Sequence, residues 1–137
     1  MTVVETGLAV QEAVFQAITT AVAGLSPVPG VYDHVPPNAS LPYVTLDMQD
    51  TAPMDGLTAR RDETRYYGTV WSDYEGRKEV LTILAAIRPA LHEVRLNLDA
   101  GQMVICSVDR MRTVRDVGDK TYQGLFTLRI LVSRGDA

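Results

Sequence analysis

The segment from Gly30 to Thr45 constrains the fold of this chain more than any other, because prolines interrupt it at several points. Two short β-prone pieces, Val31–Val35 and Tyr43–Leu46, flank a stretch rich in proline, asparagine and serine at positions 36–42. Proline lacks the N–H group that a ladder hydrogen bond requires, and asparagine and serine favour turns. The segment therefore predicts two short strands at a tightly bent edge of a β-sheet.

A first helix is predicted from about Leu8 to Gly24. Its apolar residues recur at intervals of three, four and seven, which places them on one stripe of a helix and leaves polar residues off that stripe. Gly24 and Pro27 supply the stop signals. The expected helix is amphipathic and needs another layer to cover its apolar side.

A second helix is expected to follow the β-prone segment Thr64–Ser72. Ser72 and Glu75 have the spacing of a capping box, in which the two side chains satisfy backbone N–H groups at a helix start. Apolar residues then recur at four-three-four spacing from Val80 to Leu91. The lone Trp71 is interpreted as a core anchor beneath this helix, with an interface role as the alternative.

Three further strands are predicted at Val94–Leu98, Met103–Arg115 and Tyr122–Ser133. Turns at Asp99–Gly101 and Asp116–Asp119 separate them, which predicts an antiparallel meander. The predicted order is helix, three strands, helix, three strands (α-β-β-β-α-β-β-β). It predicts an α+β fold of two layers, with both helices packed on one face of a mainly antiparallel sheet.

Length and composition narrow the class of protein. The 137 residues, 46% of them apolar and 22% charged, predict a single domain, residues 1–137, with a self-sufficient core. The net charge of -4 argues against a free-standing nucleic-acid binder. The amino terminus lacks a basic region and polar residues interrupt its apolar stretch, so no signal peptide or membrane span is predicted.

Residues with catalytic or metal-binding chemistry do not form a recognisable pattern. Cys106 lies in an alternating apolar run and is predicted to be a buried strand residue rather than a nucleophile. His34 and His92 each adjoin an acidic residue, but adjacent strand residues point to opposite faces and do not converge on a metal. The carboxylates mostly flank predicted turns, and a catalytic acid pair is the disfavoured alternative. We expect no catalytic residue, no cofactor and no metal.

Two segments are candidate interfaces. Residues 49–62 contain a proline and a glycine without a sustained period, which predicts a long loop or a mobile hairpin. The alternative for this acidic segment is a solvated loop. The second segment is a strand on which Arg110 and Arg112 share one face, with a solvated face as the alternative and phosphate steering as a weaker one. The candidate interface residues are Met54, Asp55, Leu57, Arg60, Arg61, Arg110, Arg112 and Arg115.

The order of these segments resembles the tail-completion (tail-terminator) proteins of long-tailed bacteriophages and of phage-like particles such as gene transfer agents. The matching features span nearly the whole chain: the amino-terminal helix, VYDHVPP, LPYVTL, the VWS strand end before YEGRKEVLTILAAI, and GLFTLRILV. The resemblance implies a non-enzymatic virion protein made in the host cytoplasm. It further implies a ring, expected to be a hexamer, at the head-proximal end of a non-contractile tail tube.

The resemblance also implies the partners of such a ring. The ring would stop polymerisation of the major tail tube protein and join the tail to a head-completion (stopper) protein, at the head-tail junction. DNA would pass through its lumen without sequence-specific binding, and no membrane would be involved. The alternatives are another head-tail connector or a tail-tube component, followed by a small ligand-binding domain or enzyme. The mixed order of helices and strands argues against a mostly β head-closure protein and a mostly helical adaptor.

Overall fold

One five-stranded sheet and two helices form the part of the chain that the computed structural model describes, residues 4–116, 118 and 120–136. The helices are α1 (Gly7–Val22) and α2 (Lys78–Leu91). The strands are β1 (Gly30–Tyr32), β2 (Tyr43–Pro53), β3 (Ala59–Ser72), β4 (Gln102–Asp116) and β5 (Thr121–Asp136). The predicted α+β class is confirmed.

The strands lie in the order β1-β2-β3-β5-β4, and each pair is antiparallel except β1 with β2. The prediction of a mainly antiparallel sheet is therefore confirmed. The proline-rich stretch 33–42 is the crossover that allows β1 and β2 to run parallel. Because β1 is only three residues long, it covers β2 over Tyr43–Thr45 and no further.

Both helices pack on one face of the sheet, and the alternation of the strands supplies the core beneath them. In β5, Phe126 and the alternate residues after it are fully or almost fully buried. The Phe126 ring lies over its cross-strand partner Gly68, where any side chain would collide with it. The other large core side chains include Val10, Val14 and Ile18 from α1, Ile83 and Ile87 from α2, and Leu128 and Ile130 from β5.

The opposite face of the sheet is covered by neither α1 nor α2, and we call it the helix-free face. It holds the residues that alternate with the core residues on the same strands. Its members include Glu63, Arg65, Tyr67, Thr69 and Trp71 of β3, Leu125, Thr127 and Arg129 of β5, and Arg110 and Arg112 of β4.

The strand predicted at Val94–Leu98 does not form. The segment makes a single β-bridge, between Val94 and Cys106, and so two strands rather than three follow α2. The alternation of apolar and polar residues in this segment still has a physical cause, because Val94, Leu96 and Leu98 pack against the core. Part of the turn predicted at Asp116–Asp119 lies outside the described residues.

The predicted capping box is wrong. Ser72 is the last residue of β3, and α2 begins six residues later, at Lys78. The Ser72 hydroxyl accepts a hydrogen bond from the backbone N–H of Tyr74 and donates one to Glu79, at 3.1 and 2.6 Å. A local turn at the serine replaces the helix start that the spacing predicts. Gly76, with φ at 94°, separates this turn from the helix.

Residues 49–62 form a β-hairpin, which was one of the two predicted alternatives. β2 extends to Pro53 and pairs with β3 down to Asp62, so regular strand occupies most of the segment that lacked a sequence period. The connection is the five residues Met54–Thr58, which we call the hairpin tip.

Candidate assembly surfaces

The hairpin tip is held together by Asp55. Its Oδ1 accepts a hydrogen bond from the backbone N–H of Arg61 at 3.0 Å and lies 3.0 Å from a terminal nitrogen of Arg134. Its Oδ2 lies 3.5 Å from Arg60. Three of the predicted candidate residues, Asp55, Arg60 and Arg61, are therefore neighbours in the structure. The charges of Asp55 and Arg60 neutralise each other in this ion pair. Arg134, which sequence reasoning missed, anchors the tip to β5.

The apolar residues of the tip remain exposed. Leu57 is 100% exposed and Met54 is 47% exposed. Backbone hydrogen bonds from Met54 to Arg61 and from Gly56 to Ala59 close the turn behind them, at 2.8 and 2.9 Å. The tip thus exposes a leucine side chain on a hydrogen-bonded turn. Such a side chain can form a small apolar contact with another protein.

The two groups of candidate residues lie in different parts of the sheet, and Met54 and Arg115 are near its opposite ends. Ala59, next to the tip, pairs with Asp136, whereas Arg115 pairs with Tyr122. Their partners on β5, Asp136 and Tyr122, are fourteen positions apart, a distance of about 45 Å at the usual rise per residue. The candidate residues therefore form two surfaces and not one.

Arg110 and Arg112 share the helix-free face, as the strand period predicts. They pair with Thr127 and Leu125, and a bulge between Val108 and Arg110 sets this register. Arg115 points to the other side of the sheet because three positions separate it from Arg112. All three arginines are exposed, and none forms an ion pair with another residue in the described part of the chain.

The middle of the helix-free face carries a network of four charges. Glu63 contacts Arg129 at 2.9 Å and Arg65 at 3.2 Å, and Arg65 contacts Asp109 at 2.7 Å. Sequence reasoning missed this network. Its one sequence signal is the spacing of Glu63 and Arg65, which places opposite charges on the same face of a strand.

The prediction that Trp71 is a core anchor beneath α2 is wrong. It is half-buried on the helix-free face, where its indole N–H donates to Thr45 Oγ1 at 3.0 Å. Thr45 and Thr69 in turn donate to the two oxygens of Asp47, at 2.7 and 2.6 Å. The Tyr43 ring lies 6.5 Å from the indole. The tryptophan completes a polar network across β2 and β3.

Two titratable side chains of the core have a displaced pKa. Cys106 has no exposed surface, and burial raises its pKa from 9.0 to about 12. Burial, together with the charges of Asp33 and Asp47, raises the pKa of Tyr66 from 10.0 to about 12. Both groups are therefore neutral at physiological pH. The prediction of a buried, unreactive cysteine agrees with this position.

His92 has a structural contact, since its Nδ1 accepts the backbone N–H of Val108 at 3.1 Å. His34 is exposed in the crossover after β1. Within the described ranges, no three histidine, cysteine, aspartate or glutamate side chains are placed to hold a metal ion. Neither of the two described helices is long and apolar enough to cross a membrane.

A groove of about 390 Å³ lies between α2 and the residues around Pro27. Its wall contains Lys78 and Glu79, but Glu79 is already bonded to Ser72. The groove is open and has apolar walls formed by residues such as Leu25 and Ile83.

Fold and surfaces together define a small α+β protein with charged faces, open strand edges and a projecting hairpin. The chain belongs to the tail completion protein gp17 family, whose model matches residues 12–133. It is therefore a structural virion protein of a phage-type tail and not an enzyme, which confirms the resemblance in the sequence.

The fold is also that of a chain in the virion of a native gene transfer agent (GTA) particle. The two chains superpose with a TM-score of 0.79 at 24% sequence identity, over 93% of this chain and 97% of the other. This likeness concerns the fold. No curated protein sequence matches this chain significantly.

Proposed function

We propose that this protein is the tail terminator of its particle. In this proposal residues 1–137 act as one domain, and copies of the chain form a closed ring, a hexamer, at the head-proximal end of a non-contractile tail tube. The ring stops polymerisation of the major tail tube protein and joins the tail to the head-completion (stopper) protein. DNA crosses the lumen without sequence-specific contacts.

The observation that carries the proposal is the match of nearly the whole chain to a tail completion family. The two sides of the sheet add physical support. A closed ring of identical subunits needs two different surfaces that face away from each other, because each copy contacts one neighbour with each side. The sheet ends in β1 and β2 on one side and in β4 on the other.

The hairpin tip supports contact with the tube. Leu57 and Met54 lie beyond the part of the sheet that the helices cover and have little apolar surface to pack against in their own subunit. We propose that this tip contacts the tube or an adjoining subunit, with Asp55, Arg60 and Arg61 holding its shape. Burying an exposed leucine side chain contributes about 1.5–3 kcal/mol, enough to affect binding by tenfold or more.

Light scattering and electron microscopy of the purified protein, alone and with the tail tube protein, test the proposal. We expect closed rings of six 15.0 kDa chains, about 90 kDa, bound to one end of each tube. Leu57→Asp should weaken binding to tube ends, whereas Leu8→Asp, at a leucine 71% exposed on α1, should not. A monomer that never binds tube ends would exclude the terminator function, and binding along the tube wall would favour a tube component instead.

A further inference from the structure

The charges of this chain are segregated along the sequence. Residues 1–59 contain six acidic residues and no lysine or arginine, whereas residues 60–137 contain eleven acidic and all thirteen basic residues. The formal charges of the two parts are therefore -6 and +2, which together give the net charge of -4. A random distribution of thirteen basic residues would place several of them in the first part.

The fold converts this segregation into two sides of different charge. The acidic part forms α1, β1 and β2, and β1 and β2 are the outer strands on one side of the sheet. The outer strand on the other side is β4, which belongs to the basic part. The outer strands thus differ in the sign of their net charge: β2 carries two aspartates and no basic residue, whereas β4 carries three arginines and two aspartates.

The acidic side carries three carboxylates, which we call the acidic edge: Asp33 beside α1, and Asp47 and Asp50 on β2. Asp33 directly follows β1, whose last residue, Tyr32, pairs with Thr45 of β2, two residues before Asp47. Asp33 and Asp50 are exposed, and the carboxylate of neither forms an ion pair with another residue that the structure describes. Beyond Thr45, no described strand pairs with the outer side of β2.

The other side carries three arginines of β4, which we call the basic edge: Arg110 and Arg112 on the helix-free face and Arg115 on the opposite face. Next to it, the outer side of β4 is occupied by the bridge from Val94 to Cys106 and by His92. No described strand pairs with β4 outside its basic edge. The backbone groups on that side are therefore available for a strand from another chain.

We propose that the basic edge of one subunit lies against the acidic edge of the next copy of this chain in the ring. This inference rests on the proposed ring and names its subunit interface. Opposite charges stabilise contact between unlike edges, and like charges destabilise contact between two copies of the same edge. Contact between unlike edges is a head-to-tail contact. Repeated head-to-tail contacts close into a ring when the rotation from one subunit to the next divides a full turn evenly.

The alternative is that the charges only prevent the two open sheet edges from pairing with strands of other molecules. Charged residues on outer strands commonly have this effect. The two interpretations predict opposite results for Arg110→Ala/Arg112→Ala. Removing protective charges should increase association, whereas removing half of an interface should decrease it.

Two edge-reversed variants provide the decisive test. One carries Arg110→Asp and Arg112→Asp, so that both of its edges are acidic. The other carries Asp33→Arg and Asp50→Arg, so that its acidic edge gains two positive charges. We expect each variant alone to stay near the 15.0 kDa monomer mass in light scattering, and an equimolar mixture to recover the mass of the wild-type assembly. High salt should weaken the wild-type assembly as well.

A control variant, Lys78→Asp/Lys120→Asp, has the same change of net charge as the arginine variant but leaves both edges intact. It should assemble like the wild type. The inference is overturned if the arginine variant alone forms the wild-type assembly, or if the mixture stays monomeric. In either case the proposed ring still stands if the wild type forms a closed ring. If the wild type forms open head-to-tail chains that depend on the edge charges, the inference stands and the terminator ring fails. A wild type that stays monomeric both alone and with the tail tube protein, and never binds tube ends, overturns both.

Discussion

The helix-covered face and the helix-free face of the sheet are built from alternate residues of the same strands, yet their chemistry is opposite. On β5, Phe126 and Leu128 are buried beneath the helices, whereas Arg129 on the other face joins an ion network with Glu63 on β3. Because the side-chain period of a strand is two, one sequence can carry a core and a polar surface at adjacent positions. The effect of a substitution here therefore depends on which face the residue occupies, more than on its distance along the chain.

The largest effect should come from removing a core side chain on β5. Phe126→Ala should lower the free energy of unfolding by about 3–5 kcal/mol, because it deletes a fully buried ring and leaves a cavity. Leu125→Ala, one residue earlier on the helix-free face, should cost about 1 kcal/mol. Denaturant unfolding of the two variants measures the difference. Equal losses would show that the two faces do not differ in the way described.

Alkaline pH should act on the helix-covered face. The folded state raises the pKa of Cys106 from 9.0 to about 12, so the neutral thiol stabilises the fold fully below pH 9 and this contribution is lost as pH rises toward 12. The loss is at most about 1.4 kcal/mol per pH unit for one group, or about 2–3 kcal/mol by pH 11. Tyr66 adds to it above pH 10.

Unfolding measured between pH 8 and pH 10 separates the two groups. Cys106→Ala should lower stability at pH 8 through lost packing, but its stability should then change less between pH 9 and pH 10 than that of the wild type. An identical pH dependence in the two proteins would contradict the assignment to the buried thiol.

A smaller effect is expected from the tryptophan on the helix-free face. Trp71→Phe removes the N–H that donates to Thr45 and should cost about 1 kcal/mol. Tyr67→Phe is a matched control on the same face of β3, since no hydrogen bond of that hydroxyl to another described residue is present. A loss of 3 kcal/mol or more in thermal or chemical unfolding of the tryptophan variant would return Trp71 to the role of a core residue.

The smallest effect should come from the ion network. Glu63→Gln should cost about 0.5 kcal/mol at low salt, because its partners Arg65 and Arg129 are partly exposed and water screens the charges. The cost should shrink further in high salt. Asp50→Asn, which removes a carboxylate without an ion partner, is the control and should leave unfolding unchanged. A cost that is large and independent of salt would mean that the network is buried.

Sequence patterns predicted the elements whose signal is periodic. The stripes of α1 and α2, the alternation of β5 and the shared face of Arg110 and Arg112 all follow from the periods of helix and strand. The two-residue period of β3 also predicts the correct face for Trp71. Its neighbour Val70 is a core residue, and adjacent strand residues point to opposite faces. The size of the indole and its place at a strand end favour a core anchor, whereas the strand period puts it on the face opposite Val70.

The features that the sequence did not predict depend on partners remote in the chain. Asp55 meets Arg134 only because β5 pairs beside β3, and no local pattern encodes that contact. The regular hairpin at residues 49–62 forms because each strand pairs with the other, although neither has an apolar period there. Ser72 was misassigned because a serine hydroxyl can serve a turn as well as a helix start.

Hydrogen exchange of the free and the assembled protein, followed by mass spectrometry, tests the central claim that the sheet edges and the hairpin carry assembly while the helix-covered face carries stability. We expect fast exchange at the hairpin tip in the free subunit. On assembly, exchange should slow at the tip, at Met48–Pro53 of β2 and at Arg110–Arg115 of β4, with α1 and α2 unchanged. Slowed exchange confined to the two helices, with both edges unaltered, would contradict it.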